Sequence, residues 1–176
     1  MADAPSRLWI SQAHSDLYCA KRVYDQKDHR SYCQTLAKYQ QTVEKSVKAV
    51  FAAARDKGLI GAPIGYSHNV EKLISVLGRL PRVRDNRSVQ ARINALLHDH
   101  NRNEIMLLCA LAPRKPVPGG IHVRNTEYPY ETTPGNWIAP VDQEAFGLGD
   151  VQRFGQLAER IYEGSKTLSR LIEKGP

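Results

Sequence analysis

The sequence lacks several features that define common protein classes. Its three cysteines, Cys19, Cys33 and Cys109, are an odd number at wide spacing without a CxxC pair. This argues against a disulfide framework or a zinc finger and suits a reducing compartment. No apolar run approaches the roughly 18 residues of a membrane span, and the N-terminal MADAPSRLW has no signal-peptide core. We therefore expect a cytoplasmic protein without a membrane partner.

Motifs of catalysis and metal binding are scarce as well. No GxSxG, P-loop, GxGxxG or HExxH motif occurs, which disfavours nucleophilic and nucleotide-hydrolysing enzymes. The nearest approach to a metal site is His98-Asp99-His100. Residues two positions apart on a helix face in different directions, so these histidines cannot easily share one ion. We expect surface or structural histidines, and neither a metal nor a cofactor.

Positive charge is what the chain has in excess. It carries 25 lysines and arginines against 18 acidic residues, a formal net charge of +7, which favours contact with nucleic acid or another polyanion. Residues 79–92, RLPRVRDNRSVQAR, hold five arginines against one aspartate. Guanidinium groups bind phosphate in a two-pronged geometry. The alternative is a solvated basic turn between helices. The candidates here for nucleotide or RNA binding are Arg79, Arg82, Arg84 and Arg87.

Apolar residues recur every three or four positions along most of the chain, which predicts helices. The strongest pattern covers residues 31–57 and predicts a helix of about 40 Å. Val43 and Val47 are expected in the core with Leu157 and Ile161 of the last helix, and the charged Glu44 and Lys45 at the surface. Other helices are predicted over 6–26 with Ser6 as the N-cap, after Ser67, over 88–111 with room for a break at 98–103, and over 150–174.

The chain is predicted to be one all-α domain over 1–176, a helical bundle with a long irregular loop at 112–149 before the last helix. Six of the ten prolines fall between residues 113 and 140, which predicts a long irregular segment without helix or regular sheet. The loop also carries aromatic residues, which disordered linkers tend to lack. We therefore expect it to pack across the bundle.

Polar residues of this loop are candidates for chemistry. His122 can move a proton near neutral pH and Arg124 can hold a phosphate, with Tyr130 nearby. Arg124 and Tyr128 are also candidates for binding nucleotide or RNA. The alternative is that the tyrosines pin the loop while its charged groups face water.

The order of several short motifs resembles the HEPN family of small helical bundles. The family-like residues are Ala13-x-x-Asp16-Leu17-x-x-Ala20, Tyr39-Gln40-Gln41-x-x-Glu44-Lys45-x-x-Lys48-Ala49, His68-Asn69-x-x-x-Leu73, Tyr128-Pro129 and Ala158-x-x-Ile161. The likeness covers most of residues 6–172. It implies an up-and-down bundle of four main helices that is commonly dimeric.

Many members of that family are metal-independent ribonucleases that place an arginine, followed four to six residues later by a histidine, at the dimer interface. Here His122 precedes Arg124, which is the reverse order. Arg92 and His98, like Arg7 and His14, have the right spacing but lie within predicted helices, away from the family's position.

Two functions follow from the resemblance. The first is a HEPN-like homodimeric module that is not catalytic and binds nucleotide, RNA or a partner protein, for which a nucleotidyltransferase-like protein is a candidate. The alternative is a metal-independent endoribonuclease of a toxin–antitoxin or defence system. The enzyme would use His122, Arg124 and Tyr130 as catalytic residues, with the RNA 2′-hydroxyl as the attacking group.

Overall fold

A computed structural model describes residues 4–60, 70–79, 85–96, 98–112, 126–127, 130–133, 135–142 and 145–174. The helices in these ranges are α1 (Ser6–Tyr24), α2 (Tyr32–Asp56), α3 (Val70–Arg79), α4 (Arg87–Leu96), α5 (Asp99–Ala110) and α6 (Leu148–Lys174). A 3₁₀ turn at His29–Ser31 joins α1 to α2. The prediction of an all-α helical bundle is confirmed.

The three long helices lie side by side with alternating direction. The contacts that fix their directions are Trp9 with Lys48 and Asp16 with Lys38 between α1 and α2, and His14 with Tyr162 and Lys21 with Glu159 between α1 and α6. In both pairs of helices, the residue numbers of the contacts decrease along one helix as they increase along the other. Thus α1 is antiparallel to α2 and to α6, and the latter two are parallel, as an up-and-down bundle requires.

The core lies along the seam between α2 and α6. Val43, Val47, Leu157 and Ile161 are buried there, as predicted. Their spacing of three or four residues puts each pair on one face of its helix, where the apolar side chains leave water together. At Gly155 the two helices approach so closely that a Cβ would lie 2.9 Å from the Tyr39 hydroxyl. Only glycine leaves room for that ring.

The start of α1 differs from the prediction. Ser6 was expected to cap the helix, but the capping position belongs to Pro5, whose extended backbone precedes the first helical residue. Ser6 is already helical and buried. Proline fits here because its missing N–H would have no partner at a helix start in any case.

A segment of three short helices, α3, α4 and α5, packs against α2 and α6. The expected break in the pattern over 88–111 is present, because α4 ends at Leu96 and α5 begins at Asp99. His98 lies in this break as the N-cap of α5 and not within a helix. The placement of Arg92 and His98 within one helix is therefore wrong for His98.

The segment before α6 contains a small antiparallel hairpin that the sequence analysis did not predict. Strand β1 (Tyr130–Thr133) pairs with β2 (Asn136–Ile138) through a turn at Gly135, whose φ is +83°. Ile138 packs against the core, and Ala145 and Phe146 are buried just before α6. Ile138, Ala145 and Phe146 therefore pack on the bundle, whereas Gly135 and Trp137 of the hairpin are exposed. Within the described ranges, no helix is both long and apolar enough to cross a membrane.

Candidate functional site

The structure describes only part of the predicted site. Arg79 is the exposed last residue of α3, Arg87 is the exposed first residue of α4, and Tyr130 opens β1. The other predicted residues lie outside the described residues: Arg82, Arg84, His122, Arg124 and Tyr128. The proposed loop site with His122 and Arg124 therefore stays a prediction.

We use the name basic face for three exposed arginines of the short helices, Arg79 at the end of α3 and Arg87 and Arg92 along α4. All three are exposed, and none forms an ion pair with another described side chain. The N-terminus of α4 is set by Asn86, whose Oδ1 accepts a hydrogen bond from the Val89 N–H at 3.2 Å. This cap fixes where α4 begins and so places Arg87 in its first turn.

Several other arginines of the chain are bound to carboxylates. Arg30 Nε lies 3.3 Å from Asp28, and Arg55 Nη2 lies 2.7 Å from Asp56. Arg153 binds both carboxylate oxygens of Glu104, with its Nε 2.6 Å from Oε2. A guanidinium held by a carboxylate has less to offer a ligand, so the basic face is the better candidate for an anion.

A buried ion cluster joins α1 to α2. Asp16 is buried, and each of its carboxylate oxygens takes one lysine of α2. Lys38 Nζ lies 3.1 Å from Oδ1, and Lys45 Nζ donates to Oδ2. Lys38 also donates to the Gln41 side chain at 3.0 Å. Because both oxygens of the buried carboxylate are bound by lysines of α2, this cluster fixes the register of the two helices. Two lysines share one carboxylate, so the cluster keeps a net positive charge.

A second buried pair corrects the expectation that the polar side chains of α2 lie at the surface. Glu44 and Lys48 are both buried and 2.7 Å apart, and Gln40 donates to Glu44 at 3.4 Å. Lys48 Nζ also lies 5.2 Å from the centre of the Trp9 ring, a cation–π contact. Neighbouring helices cover most of the circumference of α2. Asp16, an acid on the apolar face of α1, was the one signal in the sequence for such clusters.

Potential nucleophiles inside the bundle are not activated. Burial raises the pKa of Tyr39 to about 12 and also raises the pKa of the Cys33 thiol. Both groups keep their protons at neutral pH, and a protonated phenol or thiol is a poor nucleophile. Within the described ranges, no three His, Cys, Asp or Glu side chains are grouped to hold a metal ion.

The described residues thus form an all-α helical bundle in which Arg79, Arg87 and Arg92 have no ion-pair partner among the described side chains. The chain matches no protein-family model, no curated protein and no solved structure in the comparisons that were made.

Proposed function

We propose that this chain is a HEPN-like, non-catalytic module that binds RNA through its basic face. The observation that carries the proposal is that Arg79, Arg87 and Arg92 are exposed and have no carboxylate partner among the described residues. An arginine that is already paired with a carboxylate must give up that ion pair before it binds a ligand. Arg79, Arg87 and Arg92 avoid this cost. The net charge of +7 adds a long-range attraction to a polyanion.

RNA is the ligand that fits this arrangement best. The three arginines are spread along the end of one helix and the length of the next, and repeated phosphates along a strand can meet spread guanidiniums. A single nucleotide offers its phosphates at one place only. The short motifs shared with the HEPN family support the proposal, since RNA and nucleotides are ligands in that family.

The test compares two triple variants of equal charge. The first replaces the basic face, R79A/R87A/R92A. The control, R7A/R22A/R170A, removes three exposed arginines from α1 and α6. Binding of a fluorescent single-stranded RNA is measured by anisotropy over a series of salt concentrations. Each lost phosphate contact lowers the slope of log K against log salt by about 0.7, so the first variant should lose about 2 units of slope.

Two results would overturn the proposal. Equal losses in both triple variants would mean that RNA responds to net charge alone. The second result would be RNA cleavage. We expect RNA that is incubated with the protein in a chelator to stay intact. Fragments ending in a 2′,3′-cyclic phosphate would instead establish the metal-independent endoribonuclease that the resemblance offers as the alternative.

We further propose that the chain forms a homodimer. The surface offers large apolar side chains for an interface, among them Leu8, Tyr18, Met106 and Leu107. Light scattering at micromolar concentration should give twice the mass of 19.8 kDa. A monomeric mass would contradict the proposal. A nucleotidyltransferase-like partner and a cytoplasmic location stay predictions.

A further inference from the structure

The end of α4, next to the break between α4 and α5, packs against α6. Leu96, the last residue of α4, packs so closely on Gly164 that a methyl group at residue 164 would overlap it. The Asn101 side-chain amide donates to the Leu96 carbonyl at 3.2 Å and thereby ties the start of α5 to the end of α4. These contacts fix the positions of Leu96 and Asn101, which lie on either side of the proposed binding site.

One turn further along α5, a buried carboxylate fixes α5 on α6. Glu104 is 5% exposed, and the guanidinium of Arg153 binds both of its oxygens. The chain thus advances from Leu96 to Glu104 while the facing residues of α6 fall from Gly164 to Arg153. The chain between Leu96 and Glu104 therefore runs opposite to the direction of α6, which places His100 beside the part of α6 that carries Arg160.

Electrostatics agrees with this placement. The pKa of Glu104 is lowered first by its hydrogen bonds with Arg153, and electrostatic interactions with His100 and Arg160 contribute less in the same direction. This agrees with the position of both residues on the parts of α5 and α6 that face each other. The Glu104 carboxylate is already bound by Arg153, and Arg160 forms no ion pair with any described residue. The guanidinium of Arg160 is therefore not matched by a described carboxylate.

Two imidazoles complete the site. His98 and His100 are both exposed, and their rings lie nearly parallel, with centres 6.1 Å apart and planes inclined by 13°. Among the described residues, no third His, Cys, Asp or Glu side chain joins them to hold a metal ion. Each imidazole still offers an N–H, and side-by-side donors next to a guanidinium suit the several oxygens of one phosphate group.

We propose that the break between α4 and α5 binds a phosphate group through His98, His100 and Arg160. The phosphate belongs either to a free nucleotide or to an RNA strand. In the second case the site adds a fixed contact beyond the basic face, and that part rests on the proposed RNA binding. A free phosphate compound binds here whether or not the basic face binds RNA.

The experiment uses the full chain and follows the ring protons of its histidines by NMR. Pyrophosphate, AMP and a 5′-phosphorylated RNA are titrated separately at constant ionic strength. Signals of His98 and His100, assigned with H98A and H100A, should shift with pyrophosphate, while the signal of His14 on α1 should stay unmoved. The RNA arm then tells whether a strand uses the same contact.

A matched pair of arginine variants separates this site from general charge. R160A should weaken pyrophosphate binding about tenfold, the effect of losing a hydrogen bond to a charged group. R170A is the control, because Arg170 is also exposed and unpaired among the described residues. Arg170 lies five helical turns after Gln152 and therefore on the same side of α6. Because Gln152 contacts Tyr24 of α1, this is not the side of α6 that faces α5.

Several outcomes would overturn the proposal: no histidine shift at millimolar pyrophosphate, equal shifts of all histidines, or equal losses in R160A and R170A. The variant R79A/R87A/R92A separates the two proposals. If it loses RNA but keeps pyrophosphate with the His98 and His100 shifts, both proposals stand. If the intact chain binds pyrophosphate in this way but binds no RNA, only the proposed function fails.

Discussion

The buried carboxylates of the long helices are paired with lysines, whereas the exposed arginines of α3 and α4 have no ion-pair partner among the described residues. Between α1 and α2, the buried carboxylates Asp16 and Glu44 are each matched by lysines. On α3 and α4, exposed arginines have no ion pair with a described residue. The buried carboxylates of the long helices therefore fix helix packing, whereas the arginines of α3 and α4 are presented to solvent. Ligand binding should thus be removable without unfolding the protein.

Helix length explains much of this division. A helix of 25 or 27 residues, such as α2 or α6, carries a continuous apolar stripe over many turns. Helices of 10 residues, such as α3 and α4, are marginal alone and depend on their neighbours. We expect substitutions at the surface of the short helices to change the free energy of unfolding little. Substitutions in the core of the long helices should lower it strongly. Four measurements test this comparison.

The largest effect should come from placing a charge in the core. Val47 on α2 is 1% exposed and Val76 on α3 is 41% exposed. Val47→Asp buries an unpaired carboxylate and should cost about 4 kcal/mol or more, enough to unfold the domain. Val76→Asp should cost less than about 1 kcal/mol. Thermal unfolding followed by circular dichroism measures both. Full stability of Val47→Asp would contradict the register of α2.

The next effect concerns the buried cluster between α1 and α2. Asp16→Ala leaves Lys38 and Lys45 without their carboxylate and should cost about 2 kcal/mol, less than for a fully buried pair because both lysines reach solvent. The control Asp56→Ala removes an exposed partner of Arg55 and should cost less than about 1 kcal/mol. Urea unfolding gives both values. Equal costs would mean that burial does not distinguish the two carboxylates.

A pH series sharpens the comparison at the contact between α5 and α6. Arg153 holds the pKa of Glu104 below its ordinary value of 4.5, so the unfolded chain takes up this proton more readily than the folded one. The stabilisation is therefore complete above that value and is lost as the pH falls through the lowered pKa. The stability difference between the natural chain and Glu104→Gln, about 1–2 kcal/mol at neutral pH, should shrink in acid. A constant difference would contradict this.

The smallest effects come from a pair of glycines in α6. A Cβ at Gly155 meets the ring of the buried Tyr39, whereas one at Gly164 meets only the flexible end of the half-buried Leu96. Alanine gains about 1 kcal/mol in helix propensity at either position. Gly155→Ala should still lose about 1 kcal/mol, because the rigid ring cannot yield. Gly164→Ala should change stability by less than about 0.5 kcal/mol. The reverse order would mean that the Leu96 side chain cannot move aside for the added methyl group, whereas the Tyr39 ring can.

The sequence predicted the parts of the fold that depend on periodicity. Helix α2 and the buried Val43 and Val47 follow from apolar residues at helical spacing, which is a property of one segment. The end of α4 at Leu96 was only partly predicted. No proline or glycine marks it, and it depends on Asn101 reaching back to the Leu96 carbonyl.

Contacts between distant segments of the chain could not be predicted from periodicity. Glu44 and Lys48 have the ordinary pattern of a surface pair four residues apart, and only the approach of α1 with Trp9 makes them buried. Likewise, nothing in the spacing of His100 and Arg160 links them, because α5 and α6 are separated by the long loop. Of the predicted site, Arg79 and Arg87 are exposed as expected for a ligand-binding face. The roles of His122 and Arg124 stay predictions.

The two tryptophans of the chain lie in contrasting surroundings, and this gives the protein two optical reporters. Trp9 is half-buried beside Lys48, whereas Trp137 on the hairpin is 52% exposed. The fluorescence of Trp137 should be shifted to longer wavelength and quenched by iodide, while that of Trp9 is shielded. In W137F the emission reports the packing of α1 on α2 alone, and in W9F it reports the hairpin. Denaturation curves of the two variants show directly whether these parts of the molecule melt together.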